Sequence, residues 1–247
     1  MNELRLENVS KVYARGRRTR EALHQVSFEV HPAEFVAIHG EPRSGKSTLL
    51  RVAAGIEAPD SGRVIFGGRD LVSMSDRELS DYRLRSVAWV SSARPAFPGY
   101  RALDFVALPR LAAPRHRRDA HARAHEALEL TGADELGDAT LDELSESEAQ
   151  RVAIAQAVVR CPRIVLADEP AAGLGVTEAR AILDLLRGLS QQHGMGVLLT
   201  ASDASELLGA NRVLGLLVGG RLVAPPAPAN EGADLVHFPR RPRTGDA

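Results

Sequence analysis

The residues from Gly40 to Thr48, GEPRSGKST, combine glycine, lysine and hydroxyl side chains at a spacing suited to binding phosphate. They match the pattern G-x-x-x-x-G-K-[ST], in which backbone N–H groups surround phosphate oxygens. Lys46 would reach the β- and γ-phosphate oxygens, and the Ser47 hydroxyl would bind Mg²⁺. We therefore predict a phosphate-binding loop, with an ordinary glycine-rich turn as the alternative. Its candidate residues are Gly40, Arg43, Ser44, Gly45, Lys46, Ser47 and Thr48.

A second group suited to metal binding and acid–base chemistry lies at the end of IVLADEP, residues 164–170. The apolar run predicts a buried strand, which would deliver Asp168 to the Mg²⁺ ion. Glu169 would follow at a position from which a carboxylate could polarise an attacking water. Taken alone, an Asp-Glu pair after an apolar strand is typical of a strand end. Together with the phosphate loop, it favours a metal ligand at Asp168 and a catalytic Glu169.

The segment from Glu143 to Val158, ELSESEAQRVAIAQAV, predicts a helix that begins at a capping box. Ser145 is followed three residues later by Glu148, and such a pair satisfies free backbone N–H groups of the first turn. A helix N-terminus also attracts anions, but here Glu143, Glu146 and Glu148 surround it. A carboxylate about 5 Å from a phosphate charge is repelled by roughly 3 kcal/mol at an effective dielectric constant of about 20. We expect this helix to cap itself and reject phosphate; in the alternative, the acids extend into solvent and the anion site still works.

The elements that would position these residues follow from the hydrophobic pattern. Alternating apolar and polar residues from Leu4 to Val36 predict antiparallel strands that end in a buried strand before the phosphate loop. KSTLLRVAAGI then predicts a helix. Later helices alternate with apolar strands such as VLLTASD, so the predicted fold class is α/β with a largely parallel sheet. Helical periodicity at about residues 75–150 predicts an inserted helical subdomain.

Length and composition limit the classes of protein that the chain can be. With 247 residues and 44% apolar residues, it can build one domain, predicted at 1–224, followed by a flexible Pro-rich tail at 225–247. The formal net charge of −1 gives no general attraction to nucleic acid, and the single cysteine excludes an internal disulfide framework. No apolar run approaches the roughly 20 residues of a membrane span. We therefore expect a protein that is soluble by itself.

Beyond these motifs, most of the chain resembles the nucleotide-binding subunit of an ABC transporter. The resemblance lies in segments that follow the family's order: LENVSKVY, LHQVSFEVHPAEFVAIHG, GKSTLLRVAAGIEAPDSGRVIFGGRDL, DYRLRSVAWV, QRVAIAQAVVRCPRIVLADEP and NRVLGLLVGGRLV. The sequence of these segments is most similar to the lipoprotein-releasing and macrolide-export branch of the family. The resemblance implies a P-loop NTPase core of mostly parallel strands flanked by helices, with N-terminal antiparallel strands and an inserted helical subdomain.

The resemblance also implies an activity, cofactors and partners. Two such subunits, identical or different, bind two ATP molecules with Mg²⁺ between them and couple ATP to a transmembrane permease. The permease would hold them on the cytoplasmic, inner face of the cell membrane. By resemblance, Glu169 is catalytic, Ser47 and Asp168 bind the metal, and Tyr13 stacks on adenine, for which an aromatic face is suited. For Tyr13, core packing is the alternative.

Four family motifs differ in this chain. The signature segment LSGGQ reads LSESE at residues 144–148, where Ser145 remains but both glycines and the glutamine are lost. Ser92 stands at the position of the Q-loop glutamine, Gly175 at that of the D-loop aspartate and Ser202 at that of the switch histidine. Serine cannot supply the charge of a histidine near a γ-phosphate. We therefore predict that ATP binds and that hydrolysis is weak or depends on a partner.

Arg43 is a further difference, because the family usually has glycine at this position of the phosphate loop. A positive φ there would cost about 1–2 kcal/mol for a residue with a side chain. The general phosphate-loop pattern tolerates arginine, so nucleotide binding is expected to survive.

Two other functions are compatible with the sequence. The first is a fully active transporter ATPase that tolerates these substitutions. The second is an ATP-gated scaffold or regulator that takes no part in transport. The basic stretch PRLAAPRHRRDAHARAH, residues 109–125, also has two interpretations: it docks a membrane subunit or acidic lipid, or it is a solvated helix face.

Overall fold

The computed structural model describes residues 3–16, 18–112, 114–203, 207 and 209–223. The tail predicted at 225–247 lies outside these residues. Within the described ranges, no helix is long and apolar enough to cross a membrane.

Helices and strands alternate along most of the chain. The strands are β1 (Leu4–Arg15), β2 (Arg18–Val30), β3 (Phe35–His39), β4 (Ser61–Phe66), β5 (Arg69–Asp70), β6 (Val87–Ser91), β7 (Ile164–Asp168), β8 (Gly196–Ala201), β9 (Arg212–Leu216) and β10 (Leu222–Val223). The helices are α1 (Lys46–Ala53), α2 (Asp76–Ser86), α3 (Ala102–Leu111), α4 (Ala120–Leu130), α5 (Glu146–Val158) and α6 (Val176–His193). Short 3₁₀ helices lie at Leu71–Ser73, Pro114–Asp119 and Asp134–Leu136.

The strands form two sheets. The larger sheet has the order β10-β9-β3-β8-β7-β6, and all its pairs are parallel except β10 with β9. Its central strands β3, β7 and β8 are apolar runs buried almost throughout, as expected of parallel strands covered on both faces. The smaller sheet is antiparallel, with the order β2-β1-β4-β5. The predicted α/β class and the antiparallel N-terminal strands are confirmed.

The antiparallel sheet fixes the helix that follows the phosphate loop. Leu6 of β1 and Leu23 of β2 alternate with polar residues and point into the same core cluster as Leu49 and Leu50 of α1. Ile38 of β3 belongs to this cluster too. The strand before the loop and the helix after it are therefore both anchored in one core.

The helical region has a hydrophobic core of its own. Phe105 of α3, Leu128 of α4 and Val152 of α5 belong to one buried cluster, separate from the clusters of the sheets. Ile154 of α5 packs instead with Val165 of β7, so α5 connects this region to the larger sheet. Within the range where we expect the helical subdomain, β6 pairs with β7 as an edge strand, Tyr82 of α2 packs in the core cluster of the antiparallel sheet, and the helices with their own core begin at α3.

The parallel register gathers the chemistry-bearing segments at one edge. His39 lies opposite Ala201, and Asp168 lies opposite both Thr200 and Ser91. Because parallel strands end at the same side of a sheet, the loops that follow β3, β6, β7 and β8 meet there. Sequence positions far apart in the chain thus form one site.

Candidate functional site

Two glycines of the phosphate loop are required by the space around them. Gly45 caps α1 with a φ of 111°, and a Cβ there would lie 2.1 Å from the Ala22 carbonyl oxygen. A Cβ on Gly40 would lie 2.5 Å from the Leu216 carbonyl oxygen and 2.6 Å from Ser44 Oγ. These distances are below any van der Waals contact, so only glycine fits at either position. The tight turn of the loop leads directly into the N-terminus of α1, where free backbone N–H groups favour the binding of anions.

Arg43 has a strained backbone conformation in the phosphate loop. Its φ is 68°, in the left-handed region that favours glycine. Arg20 of β2 donates a hydrogen bond from its guanidinium to the Arg43 carbonyl oxygen and so supports the turn from the neighbouring sheet. The cost considered for a positive φ at this position therefore applies to Arg43.

Replacing Arg43 by glycine is expected to stabilise the fold by about 0.5–1 kcal/mol. The relief of roughly 1–2 kcal/mol at positive φ is reduced by about 0.4–1 kcal/mol of extra entropy in the unfolded chain. Urea unfolding of both proteins measures the difference. Arg77→Gly is the matched control, because Arg77 is exposed in the first turn of α2 and has no positive φ to relieve, so glycine is expected to destabilise the fold there. Equal signs for the two substitutions would contradict the prediction.

Lys46 is a buried cation held by oxygen atoms on several sides. Only 5% of its side chain is exposed. Its Nζ donates to the carbonyl oxygens of Gly40 at 2.6 Å and Glu41 at 3.2 Å, and to Ser202 Oγ at 2.9 Å. It also lies 3.1 Å from Glu169 Oε1. The ammonium therefore sits at the centre of the site with every contact made to the loop or to the opposite strand ends.

Ser202 connects Lys46 to Glu169. Its Oγ accepts from Lys46 and donates to Glu169 Oε1 at 2.6 Å. Burial raises the pKa of Glu169, but the hydrogen bond from Ser202 and the charge of Lys46 outweigh burial and hold that pKa below its ordinary value. Glu169 is therefore ionised at neutral pH. The Ser202 hydroxyl is therefore hydrogen-bonded to both charged groups.

The residues expected to hold a metal ion lie together. Ser47 and Asp168 line the same cavity. Asp168 Oδ1 lies 2.8 Å from Thr200 Oγ1, and its backbone is fixed in the buried strand β7. A hydroxyl and a carboxylate are hard oxygen donors of the kind that Mg²⁺ takes, together with phosphate oxygens and water. This donor set fits the predicted ion.

The cavity around these residues is of a size and charge suited to a polyphosphate. Its volume is about 530 Å³. The basic residues Lys46, Arg20, Arg43 and Arg51 line it together with Asp168 and Glu169 at the end of β7. Guanidinium groups bind phosphate through paired hydrogen bonds. Residues lining it are Arg20, Pro42, Arg43, Gly45, Lys46, Ser47, Thr48, Arg51, Ser91, Ser92, Ala93, Asp168 and Glu169.

Tyr13 lies at the edge of this cavity. Its hydroxyl donates to the Glu57 carboxylate and lies 3.4 Å from Oγ1 of Thr48, which lines the cavity. Lys11 Nζ sits over the ring, 5.9 Å from its centroid. An adenine could therefore stack only on the opposite face, and the stacking role stays a prediction.

The N-terminus of α5 is closed by the capping box that the sequence predicts. Ser145 Oγ accepts from the Glu148 N–H at 3.3 Å, and Glu148 Oε2 accepts from the Ser145 N–H at 2.8 Å. This backbone hydrogen bond, with that of the Ser145 hydroxyl, lowers the pKa of Glu148. Of the three acids expected around the helix start, Glu143 differs: it accepts from the Thr140 N–H at 2.8 Å in the preceding turn.

Glu146 lines a second cavity of about 250 Å³ beside the first one. Ser92 borders both cavities, and Arg94 and Gln150 line the second with it. Gln150 Nε2 donates to the Ser91 carbonyl oxygen at 3.0 Å, which joins α5 to the end of β6. The acidic helix start and the Ser92 loop are thus neighbours, next to the phosphate loop.

Gly175, at the position of the D-loop aspartate, begins α6. Its N–H donates to Glu178 Oε2 at 3.2 Å. The carboxylate at this helix start is therefore that of Glu178, and it caps the N-terminus of its own helix. Gly175 is not among the residues that line the phosphate cavity.

Three basic residues of the stretch 109–125 pair with acids. Arg110 Nη2 lies 2.7 Å from Asp119 Oδ2, and Arg123 Nη1 lies 2.6 Å from Glu126 Oε2. His121 contacts Asp104 at 3.1 Å. These pairs reduce the positive charge of the stretch, and its docking role stays a prediction.

Sequence reasoning missed three residues of the site: Arg20, Arg51 and Thr200. Arg20 and Arg51 line the cavity, and Arg51 also pairs with Glu57 at 2.6 Å. Thr200 contacts Asp168 across two strands. Arg51 follows Ser47 and Thr48 by four and three residues on α1, a spacing that could have indicated its position, whereas Arg20 and Thr200 depend on strand pairing.

The phosphate loop at the start of α1 and the acidic end of β7 define a P-loop nucleotide-binding protein. The sequence profile of the ABC transporter family matches residues 23–172, more than half of the chain. This chain belongs to the ABC transporter family. The predicted family is therefore confirmed, and its assignment to the lipoprotein-releasing and macrolide-export branch stays a prediction.

Solved structures of ATP-binding cassettes share the fold along nearly the whole described chain. The dimeric structure of MJ0796, a bacterial ABC transporter cassette, is 29% identical with a TM-score of 0.80, covering 90% of this chain and 98% of that one. A post-hydrolysis state of MJ0796 bound to ADP and Pi has the same identity and coverage, 29%, 90% and 98%, and a TM-score of 0.79. CbiO1 from Clostridium perfringens, part of the ABC transporter complex CbiONQ, is 26% identical with a TM-score of 0.81, covering 90% and 87%.

Proposed function

We propose that this chain is the ATP-binding subunit of an ABC transporter, which binds Mg-ATP at a dimer interface and hydrolyses it weakly or only with a partner. One contrast carries the proposal. Lys46, Asp168 and Glu169 share one cavity with the phosphate loop, whereas the first turn of α5 carries the carboxylates of Glu146 and Glu148 where the family's signature has glycine and glutamine.

Binding of a triphosphate would exchange the partners of Lys46. Its Nζ now contacts two loop carbonyls, Ser202 and Glu169. A buried ammonium is compensated best by ionised oxygens, so phosphate oxygens are stronger partners than the carbonyls. Arg20 and Arg43 at the cavity rim would add to the positive field around the phosphates.

Ser47 and Asp168 would hold the Mg²⁺ ion. When bound, Mg²⁺ neutralises charge on the β- and γ-phosphate oxygens. Glu169 would act as the base that orients a water, since its pKa lies below the ordinary range and it stays ionised. Tyr13 would stack on adenine with the face of its ring that Lys11 leaves free.

The partners follow from the relatives. The MJ0796 structure is described as dimeric, and CbiO1 is described as part of a larger transporter complex. We extend both features to this chain, which would pair with a second copy or a different cassette. A separate permease would hold the pair at the cytoplasmic face of the cell membrane.

Impaired hydrolysis is proposed on three local features. The first turn of α5 carries the carboxylates of Glu146 and Glu148, and Glu146 is exposed in a cavity that Ser92 also lines. Ser202 contacts Lys46 and Glu169 at short range, where a histidine would extend further. Ser92 and Gly175 carry none of the side-chain groups of the family's glutamine and aspartate.

Two other functions each have an observation in their favour. A fully active ATPase is favoured by the position of Glu169, which is ionised and lies 3.1 Å from Lys46. An ATP-gated scaffold outside transport is favoured by the basic stretch, because its ion pairs leave less charge for docking to a membrane partner.

The proposed nucleotide site is tested by replacing Lys46. Lys46→Ala is expected to weaken Mg-ATP binding by about 100-fold or more, because it removes at least two charged hydrogen bonds to phosphate of about 1.5–3 kcal/mol each. Titration of the full chain with a fluorescent ATP analogue measures the dissociation constant. Arg77→Ala, which removes an exposed charge of α2 outside the cavity, should bind like the wild type. Equal affinity for wild type and Lys46→Ala would refute nucleotide binding at this loop.

A further inference from the structure

The carboxyl end of β8 carries a hydroxyl that touches both acidic residues of the site. Thr200 is 0% exposed and lies opposite Asp168 in the parallel register. Its Oγ1 lies 2.8 Å from Asp168 Oδ1 and accepts a hydrogen bond from the Glu169 N–H at 3.1 Å. A single side chain thus contacts the candidate metal ligand and the backbone of the candidate base.

The direction of these hydrogen bonds follows from the proton count. A threonine hydroxyl has one proton to donate and two lone pairs that accept. Since the Glu169 N–H donates to Oγ1, the hydroxyl proton is available to Asp168 Oδ1 at 2.8 Å, which is nearer than the Ala167 carbonyl oxygen at 3.5 Å. Donation to an ionised carboxylate is also the stronger bond. Thr200 therefore holds Oδ1 and leaves Oδ2 for a metal ion.

The same residue holds the backbone of Glu169. Glu169 has a φ of 47°, a left-handed conformation that is unfavourable for a residue with a side chain. Its N–H is held by the Thr200 carbonyl oxygen at 3.2 Å as well as by Oγ1. In this conformation the Glu169 carboxylate reaches Ser202 and Lys46.

We propose that Thr200 is a positioning residue for Mg²⁺, whose hydroxyl orients the Asp168 carboxylate toward the metal and fixes the adjoining backbone of Glu169. This inference rests on the proposed function and deepens it. Residues that hydrogen-bond a metal ligand without contacting the metal contribute strongly to metal affinity, and their loss typically weakens that affinity about 10–100-fold.

The test compares the Mg²⁺ dependence of nucleotide binding in the full chain. A fluorescent ATP analogue is titrated in EDTA, and the Mg²⁺ concentration for half-maximal enhancement of binding is then measured. Thr200→Val keeps the shape of the side chain and removes the hydroxyl. It is expected to raise the Mg²⁺ midpoint by about 10-fold or more while leaving affinity in EDTA within about twofold of wild type. Thr200→Ser, which restores the hydroxyl, should return the wild-type midpoint.

Thr131→Val is the matched control, because it makes the same change at a distant buried site. Thr131 is 1% exposed, and its hydroxyl bonds only to the Ala127 and Leu128 carbonyl oxygens, at 3.2 and 3.1 Å, among the described residues. Its Mg²⁺ midpoint should match wild type. Should Thr200→Val not fold, Thr200→Cys serves instead, since a thiol of similar size is a weak hydrogen-bond donor.

The outcomes separate this inference from the proposed function. A wild-type Mg²⁺ midpoint in Thr200→Val, a valine-like shift in Thr200→Ser, or an equal shift in Thr131→Val overturns the positioning role and leaves ATP binding intact. Absence of nucleotide binding by the wild-type chain overturns the proposed function, and the positioning role with it.

Discussion

Purified protein mixed in excess with Mg-ATP is expected to return the nucleotide uncleaved after hours. Ordinary enzymes turn over about once per second or faster, so this single-turnover rate would lie at least about 1,000-fold below them. The physical reason is that binding groups are kept while groups near the γ-phosphate are lost. Lys46, Ser47 and Asp168 share the cavity, but Ser202 is engaged between Lys46 and Glu169.

The measurement is the ratio of ADP to ATP recovered from the protein over time. Lys46→Ala shows how much of any cleavage depends on the phosphate loop, and Glu169→Gln shows how much depends on the candidate base. Cleavage within minutes in the wild type, lost in Glu169→Gln, would contradict the prediction and establish an ordinary transporter ATPase. Cleavage that persists in both variants would indicate a contaminating enzyme.

Restoring the family's signature is expected to raise this rate by about 100-fold when combined with Ser202→His. The signature repair is Glu146→Gly with Ser147→Gly and Glu148→Gln. It removes the carboxylates of Glu146 and Glu148. Repulsion of one carboxylate from a partner's phosphate is roughly 3 kcal/mol, about 100-fold in rate before screening reduces it. Glutamine retains the capping box with Ser145, so the start of α5 is kept. The histidine adds a group that can reach the γ-phosphate.

The repair is measured by single-turnover rate and by the mass of the protein in Mg-ATP, since a repaired signature should also favour the dimer. The signature repair alone, or Ser202→His alone, is expected to raise the rate less than the two together. Their effects on the rate are coupled, because both act on the same phosphate. The matched control lies in α2, which starts with an equivalent capping box at Ser75 and Glu78. Asp76→Gly with Arg77→Gly and Glu78→Gln should cost similar helix stability and leave rate and mass unchanged. A doubly repaired protein no faster than wild type would contradict the prediction.

Features carried by neighbouring residues could be predicted from the sequence. The capping box joins Ser145 and Glu148, three residues apart, and the structure has both of its hydrogen bonds. The phosphate loop is also local, because it depends on a few consecutive backbone angles; for Arg43 the sequence indicated the cost of a positive φ, and the structure shows that φ. The apolar runs of β3 and β7 predicted buried parallel strands for the same reason.

Features that depend on pairing between distant segments could not be predicted in this way. The helical pattern after residue 75 concealed β6, whose place at the sheet edge is decided by β7, more than 70 residues later. Glu143 was expected at the start of α5 but binds Thr140 in the preceding turn. The positive φ of Glu169 had no sequence signal, because Thr200 holds that backbone from another strand.

The sequence by itself determined the chemistry of this protein: a phosphate loop, an acidic strand end and a helix that caps its own N-terminus. The tertiary structure alone decided how these groups meet. Lys46, Glu169 and Ser202 form one hydrogen-bonded group, and Thr200 reaches Asp168, because the parallel register brings strand ends that are far apart in the chain to one edge. Local hydrogen bonds are encoded within a few residues, whereas register is set by the packing of the whole sheet.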